Sequence, residues 1–129
     1  MAPGDGQHLL DRLNFRDVQD TDEAVVIDIE NRPDLANRRG ALQGGLLATL
    51  IDIAGGRLAD RHVGDHQDVT TADMTIHFLA PVLAGPARAE ATIVRAGRRS
   101  IVVAVDVTDV SRHRQAARAT LSFAVLDRR

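Results

Sequence analysis

Apolar residues recur along the chain with two different periods, and the changes from one to the other divide it into elements. From Ala24 to Glu30, Val25, Ile27 and Ile29 alternate with Val26, Asp28 and Glu30, which is the two-residue period of a half-buried strand. Asn31-Arg32-Pro33-Asp34 ends it, because proline has no amide to give to a ladder and Asn and Asp favour turns. Residues 34–45 read as a loop leading into a helix. From Gly44 or Gly45 onward, Leu47, Leu50, Ile51, Ala54 and Leu58 fall at helical spacing, and Leu46 and Ile53 widen the apolar surface. A helix that is apolar almost all round is a central, buried one. Gly55-Gly56 is expected to weaken its end, and the polar stretch from Asp60 to Asp68 to form a loop.

The period then returns to two. Val69 to Leu79 places Met74, Ile76 and Phe78 on one face and Asp73, Thr75 and His77 on the other, and Pro81 closes it. Strands are also expected over Ala87 to Arg95, over Ile101 to Asp109 with Ile101, Val103, Val105 and Val107 on one face, and over Arg118 to Leu126 with Ala119, Leu121, Phe123 and Val125 on one face. Short turns join these last three, which favours an antiparallel meander. The predicted order is strand, long buried helix, four strands. One antiparallel sheet wrapped around one central helix is an α+β layout. Residues 1–15 read as a loosely ordered leader, with one short amphipathic turn carrying Leu9, Leu10 and Leu13.

Composition narrows the chemistry. The 129 residues suit a single domain with one real core. The net charge of −2 does not suggest a nucleic-acid partner. Three phenylalanines with no tryptophan or tyrosine leave few platforms on which bases could stack. The absence of cysteine removes disulfides, zinc–thiolate sites and a cysteine nucleophile together. Met1 to Gln7 is short and polar rather than a secretory signal. The stretch from Ala41 to Ala54 is too short to span a bilayer. A cytoplasmic protein with no membrane partner is the expectation.

Asp52 is the only ionisable residue between Ala41 and Gly56. A carboxylate on a buried helix is costly unless it is paired, faces a cleft or is protonated. Solvation at a sheet edge or subunit boundary would account for it equally well in isolation. Gln43-Gly44-Gly45 opens the same helix, however. Glycines there let another molecule approach the backbone. First-turn amides are unpaired and the helix dipole is positive at that end, so they can polarise a carbonyl and hold a developing oxyanion. A plain helix start would also explain the pair. Gly44 and Asp52 stand eight residues apart, about 12 Å at the helical rise. Reacting groups must approach to about 3–3.5 Å. If both are catalytic, Asp52 must serve the helix start of a second chain, and a homodimer becomes the minimal active unit.

Asn37, Gly40, Gln43-Gly44-Gly45 and Asp52 together resemble the N-x-x-G-x-x-H-G-G-x-x-x-x-x-x-D pattern of PaaI-like hotdog-fold acyl-CoA thioesterases. The segment from Thr71 to Pro81, Gly85, Gly97-Arg98-Arg99 and the closing stretch from Ala117 to Val125 follow in that family's order, so the likeness covers about residues 15–126. The resemblance implies a hotdog fold and hydrolysis of an acyl- or aryl-acyl-CoA thioester to free acid and CoA, with no cofactor. It implies that the Gly44 amide, with Gly45, polarises the thioester carbonyl. It makes Asp52 of the partner chain a general base or a nucleophile. Asn37 would position water or thioester. Thr71, with Thr70 as competitor, would stand near the carboxylate. Exposed sheet faces of this family often pair, which implies a homotetramer.

One position departs from the pattern. Gln43 stands where the family has histidine, and glutamine cannot take a proton at neutral pH. That keeps a non-catalytic acyl-CoA-binding protein as the alternative. A hydratase or dehydratase ranks last, because no histidine lies near Asp52 in sequence. For the coenzyme's phosphates, Arg98-Arg99 is one candidate and Arg38-Arg39 another, although solvated turn arginines are as good an account of either pair. His62 and His66 have metal-like spacing, but no further ligands accompany them and no metal site is expected.

Overall fold

The structure is a computed structural model that describes residues 8–129. The first part of the expected leader, residues 1–7, lies outside the described residues. Leu9–Arg12 forms a short helix, α1, and Leu13 just after it is buried. The remaining elements are β1 (Arg16–Asp20), β2 (Ala24–Ile29), α2 (Gly44–Asp60), β3 (Gln67–Phe78), β4 (Ala87–Ala96), β5 (Ser100–Asp109) and β6 (Arg114–Asp127). The strands form one sheet in the order β1-β2-β4-β5-β6-β3, every neighbouring pair antiparallel. The meander β4-β5-β6 is as the short turns predict. Helix α2 lies against β2, β3, β4, β5 and β6, the expected α+β arrangement of a sheet around one helix.

The core follows from the periods. Leu47, Leu50, Ile51, Ala54 and Leu58 of α2 are buried. So are Ile101, Val103, Val105 and Val107 of β5 and Ala119, Leu121 and Phe123 of β6. Strand β4 turns the small residues Ala87, Ala89 and Ala91 inward, which lets the helix lie close. Gly55-Gly56 does not end α2. A Cβ on Gly55 would sit 3.4 Å from both Leu121 Cδ2 and Phe123 Cζ, so the glycine admits large sheet side chains against the helix, which runs on to Asp60.

Two features depart from the expected pattern. Strand β1 has no hydrophobic signature, since all five of its residues are exposed. Pairing with β2 and ion pairs from α2 hold it: Arg57 reaches Asp17 at 2.6 Å, and Arg61 reaches Asp20 at 3.3 Å. Asp28, expected on the solvent side of β2, is buried. Arg88 grips both its oxygens at 2.8 and 3.0 Å, and Arg16 adds a contact at 2.9 Å. Burial pushes its pKa up, but the Arg88 and Arg16 guanidiniums outweigh burial and hold the carboxyl below its ordinary value.

Candidate active site

Helix α2 starts bare. Gln43 occupies the N-cap position with φ −54° and ψ 133°, and its side chain makes no capping hydrogen bond. Its carbonyl accepts from the amides of Leu46 and Leu47 at 3.0 and 3.1 Å. The amides of Gly44 and Gly45 have no acceptor among the described residues, and no acidic side chain lies in the first turn. The positive end of the helix dipole is therefore unspent. The two glycines differ in surroundings. A Cβ on Gly44 would stand 3.6 Å from the Phe78 ring, whereas one on Gly45 would meet nothing within 4 Å among the described residues. Neither glycine is demanded by packing within the chain.

The loop before the helix is clasped by Asn37. Its Oδ1 accepts from the amides of Arg39 at 2.9 Å and Ala41 at 3.1 Å, and its own amide donates to the Ala41 carbonyl at 2.7 Å. Gly40 completes the turn with φ 82°, the left-handed region that glycine enters without penalty. Asn37 and Gly44 face a cleft of about 360 Å³ whose apolar walls include Leu47, Phe78, Pro81 and Val82. The Gln43 side chain lies outside that lining, and its Nε2 stands 3.5 Å from the Ala36 carbonyl.

Asp52 lies on the flank of α2, half-buried, and the Thr71 hydroxyl donates to its Oδ1 at 2.7 Å. The choice of Thr71 over Thr70 comes from a bulge. Counting back by twos from Met74, Ile76 and Phe78 would aim Thr70 at the helix. The pairing with β6 slips between Thr71 and Asp73, so that Thr71 opposes Phe123 while Asp73 opposes Ser122. The extra residue flips the parity and turns Thr71 toward α2. Within one chain the structure thus gathers Asp52 with Thr71 and, separately, Gly44 with Asn37. Neither Asp52 nor Thr71 lines the cleft at Gly44. Strand β3, which borders both groups, is an edge strand with Met74 and Phe78 exposed.

The arginine pairs sit apart. Arg98 and Arg99, in the turn between β4 and β5, border a surface hollow of about 490 Å³ with Gln67 and Asp127. Among the described residues neither is within ion-pair distance of a carboxylate, and the same holds for Arg38 and Arg39. Gln67 precedes Thr71 by four residues, or about 13 Å along the strand. His62 Nε2 is 2.7 Å from the Asp22 carbonyl oxygen, and no group of His, Asp or Glu among the described residues is placed to hold a metal ion. Among the described residues no helix is long and apolar enough to cross a membrane.

The pattern of residues hides two polar groups beside the cleft. Asp109 is wholly buried and accepts from the amides of Leu83, Ala84 and Gly85 at 3.0, 3.2 and 2.7 Å. Burial raises its pKa, but those amides and the charge of Arg112 lower it further, and the net shift is downward. The available signal was parity, since Asp109 shares the inward face of β5 with Val105 and Val107. Asn31, which reads as a turn residue, donates from Nδ2 to the carbonyls of Gly40, Val82 and Leu83.

The chain is similar to known proteins in sequence and in fold. A model described as the thioesterase superfamily matches residues 39–116. A protein of Saccharolobus solfataricus named "Putative esterase SSO2140" is 36% identical over 85 residues, covering 66% of this chain and 60% of that protein. The chain therefore spans less than two thirds of that relative. Among solved structures, a Bacillus halodurans protein with CoA is 33% identical with a TM-score of 0.73, covering 78% of this chain and 66% of that one. The thioesterase HI1161 of Haemophilus influenzae superposes with a TM-score of 0.86 over 95% of this chain and 85% of its own, at 18% identity, a likeness of fold. The sheet wrapped on α2 is the hotdog fold, and the chain belongs to the thioesterase superfamily.

Proposed function

We propose that the protein is an acyl-CoA thioesterase that hydrolyses an acyl- or aryl-acyl-CoA to free acid and CoA. The observation that carries this reading is the half-buried Asp52 held through one oxygen by Thr71, in a chain of the thioesterase superfamily that resembles a structure with CoA. Thr71 orients the carboxylate and leaves its other oxygen to act on water as a general base, or on the thioester as a nucleophile. The amide of Gly44, with Gly45 beside it, polarises the thioester carbonyl and stabilises the oxyanion. Asn37 keeps the loop that aims those amides. Arg98 and Arg99 take the coenzyme's phosphates, in keeping with the absence of a carboxylate partner for either among the described residues.

The two half-sites are completed by a second chain. The exposed edge strand β3, on which Met74 and Phe78 reach solvent, adjoins both halves and suits pairing with another copy. The homodimer is then the minimal active unit, with tetramers formed by pairing of dimers. Gln43 is compatible with this chemistry because its backbone, rather than its side chain, caps the helix start. A non-catalytic acyl-CoA binder is the second reading, favoured by the lack of a titratable side chain at Gln43.

The test is a panel of short, long and aromatic acyl-CoAs, with thiol release followed by a thiol reagent. The absence of cysteine removes protein background. Turnover lost in Asp52→Asn supports the enzyme. Tight binding without turnover across the panel supports the binder.

A further inference from the structure

The cleft at Gly44 has two walls from distant parts of the chain. One is the loop from Asn37 through Gly40 into the start of α2. The other is the segment from Phe78 to Val82 after β3. The Leu42 amide stitches them by donating to the Val82 carbonyl at 3.0 Å. A side chain from outside both walls makes the second connection. Asn31 Nδ2 stands 2.9 Å from the Gly40 carbonyl oxygen, 3.2 Å from that of Val82 and 3.1 Å from that of Leu83. An amide NH2 has two hydrogens, so one is shared. No other side chain among the described residues donates to both walls.

Three carbonyls around one nitrogen leave no freedom in the amide's orientation. The opposite atom, Asn31 Oδ1, is buried and has no partner among the described residues. A buried acceptor left empty is unusual, and here it accompanies a donor that is saturated. The far side of the same segment is held independently, since Asp109 takes the amides of Leu83, Ala84 and Gly85. Asn31 thus holds carbonyls where Asp109 holds amides. Gly85 makes room for Asn31 itself: its φ is 81°, and a Cβ there would come within 3.2 Å of the Asn31 backbone nitrogen and 3.3 Å of its Cβ.

We propose that Asn31 is a positioning residue that sets the separation of the two cleft walls and so the aim of the Gly44 amide. The catalytic part of this inference rests on the thioesterase reading; the geometric part does not. An oxyanion donor acts in the transition state, and a small displacement of it lowers kcat more than it raises KM. Phosphate contacts at Arg98 and Arg99 lie on other elements and are untouched by the change.

The experiment uses the full chain with Asn31→Ala and the near-isosteric Asn31→Asp, which presents an oxygen to three carbonyls. In folded variants, amide resonances of Gly40, Gly44, Gly45 and Val82 move, while those of Asp52 and Thr71 stay. kcat falls by about tenfold or more in Asn31→Ala while KM stays within about twofold, the signature of a lost transition-state contact. The loss is larger in Asn31→Asp. If Asn31→Asp does not fold, Asn31→Ala alone decides. Unmoved Gly44 and Gly45 resonances, or an unchanged kcat with only a lowered melting temperature, overturn the proposal. If the unaltered protein releases no thiol from any acyl-CoA, the thioesterase reading fails on its own, and the resonances still decide whether Asn31 sets the cleft.

Discussion

Asp109 at the end of β5 and Asp52 on the flank of α2 are both carboxylates drawn out of bulk water, and they are held in opposite ways. Asp109 is sealed in and receives three backbone amides. Asp52 is half-buried and receives one hydroxyl, from Thr71. A carboxylate saturated by rigid amides is committed to structure, because any reaction at it would strand those donors. A carboxylate held through one oxygen has lone pairs left for a substrate or water. Burial by itself therefore does not pick out the chemical group. The number and rigidity of its partners does.

The largest expected effect separates the two. Asp52→Asn lowers kcat by about 10²- to 10⁴-fold, the range for loss of a general base, and leaves thermal stability nearly unchanged. Equal losses of stability and activity would erase the distinction. Asp109→Ala behaves in reverse. Stranding the buried amide of Gly85 and the part-buried amides of Leu83 and Ala84 costs on the order of 2 kcal/mol or more, visible as a lower denaturant midpoint. Its folded-state pKa lies below the ordinary value of 3.8, so its stabilisation is complete above that value and is lost as pH falls through the folded-state pKa. The stability gap between the unaltered protein and Asp109→Ala should shrink over that acid range and be flat above it.

Smaller effects refine the Asp52 half. Thr71→Val keeps the shape but removes the hydroxyl, and kcat should fall by about tenfold, or about 1.4 kcal/mol. Thr70→Val, on the other parity of the bulged strand, should leave kcat unchanged. The least effect is expected at the arginine turn. Replacing Arg98 and Arg99 together with alanine should raise KM for the CoA ester by about threefold to tenfold at low salt and by less at high salt, because exposed charges are screened. A change in kcat instead would move those residues into the reacting centre.

Much of this was legible in the order of residues. The apolar–polar patterning pointed to five strands, β2 to β6, and the 3.6-residue period to α2, because most of these elements bury one face. Strand β1 was not legible, since its five exposed residues carry no period; distant aspartate–arginine pairs secure it. The face of Thr71 depended on a bulge that alternation cannot reveal, and only family likeness favoured it. Asn31 and Asp109 were invisible as a pair because residues 78 positions apart meet through the 82–85 segment, a contact made by topology rather than local pattern. Asn37, Gly44 and Asp52 were legible as types, while their division into two clusters follows from helix length.

That division is the central claim, and a mixing experiment tests it. Gly44→Pro removes the polarising N–H at the first helical position, where proline is accepted, and Gln43 already has the extended ψ of 133° that a following proline requires. Asp52→Asn and Gly44→Pro should each be inactive alone. Unfolded and refolded together in equal amounts, they should recover about a quarter of the unaltered activity, because random pairing makes half the dimers mixed and each mixed dimer holds one intact site of two. Recovery to that level establishes a site shared between chains. Two folded, dimeric variants that remain inactive when mixed would contradict it.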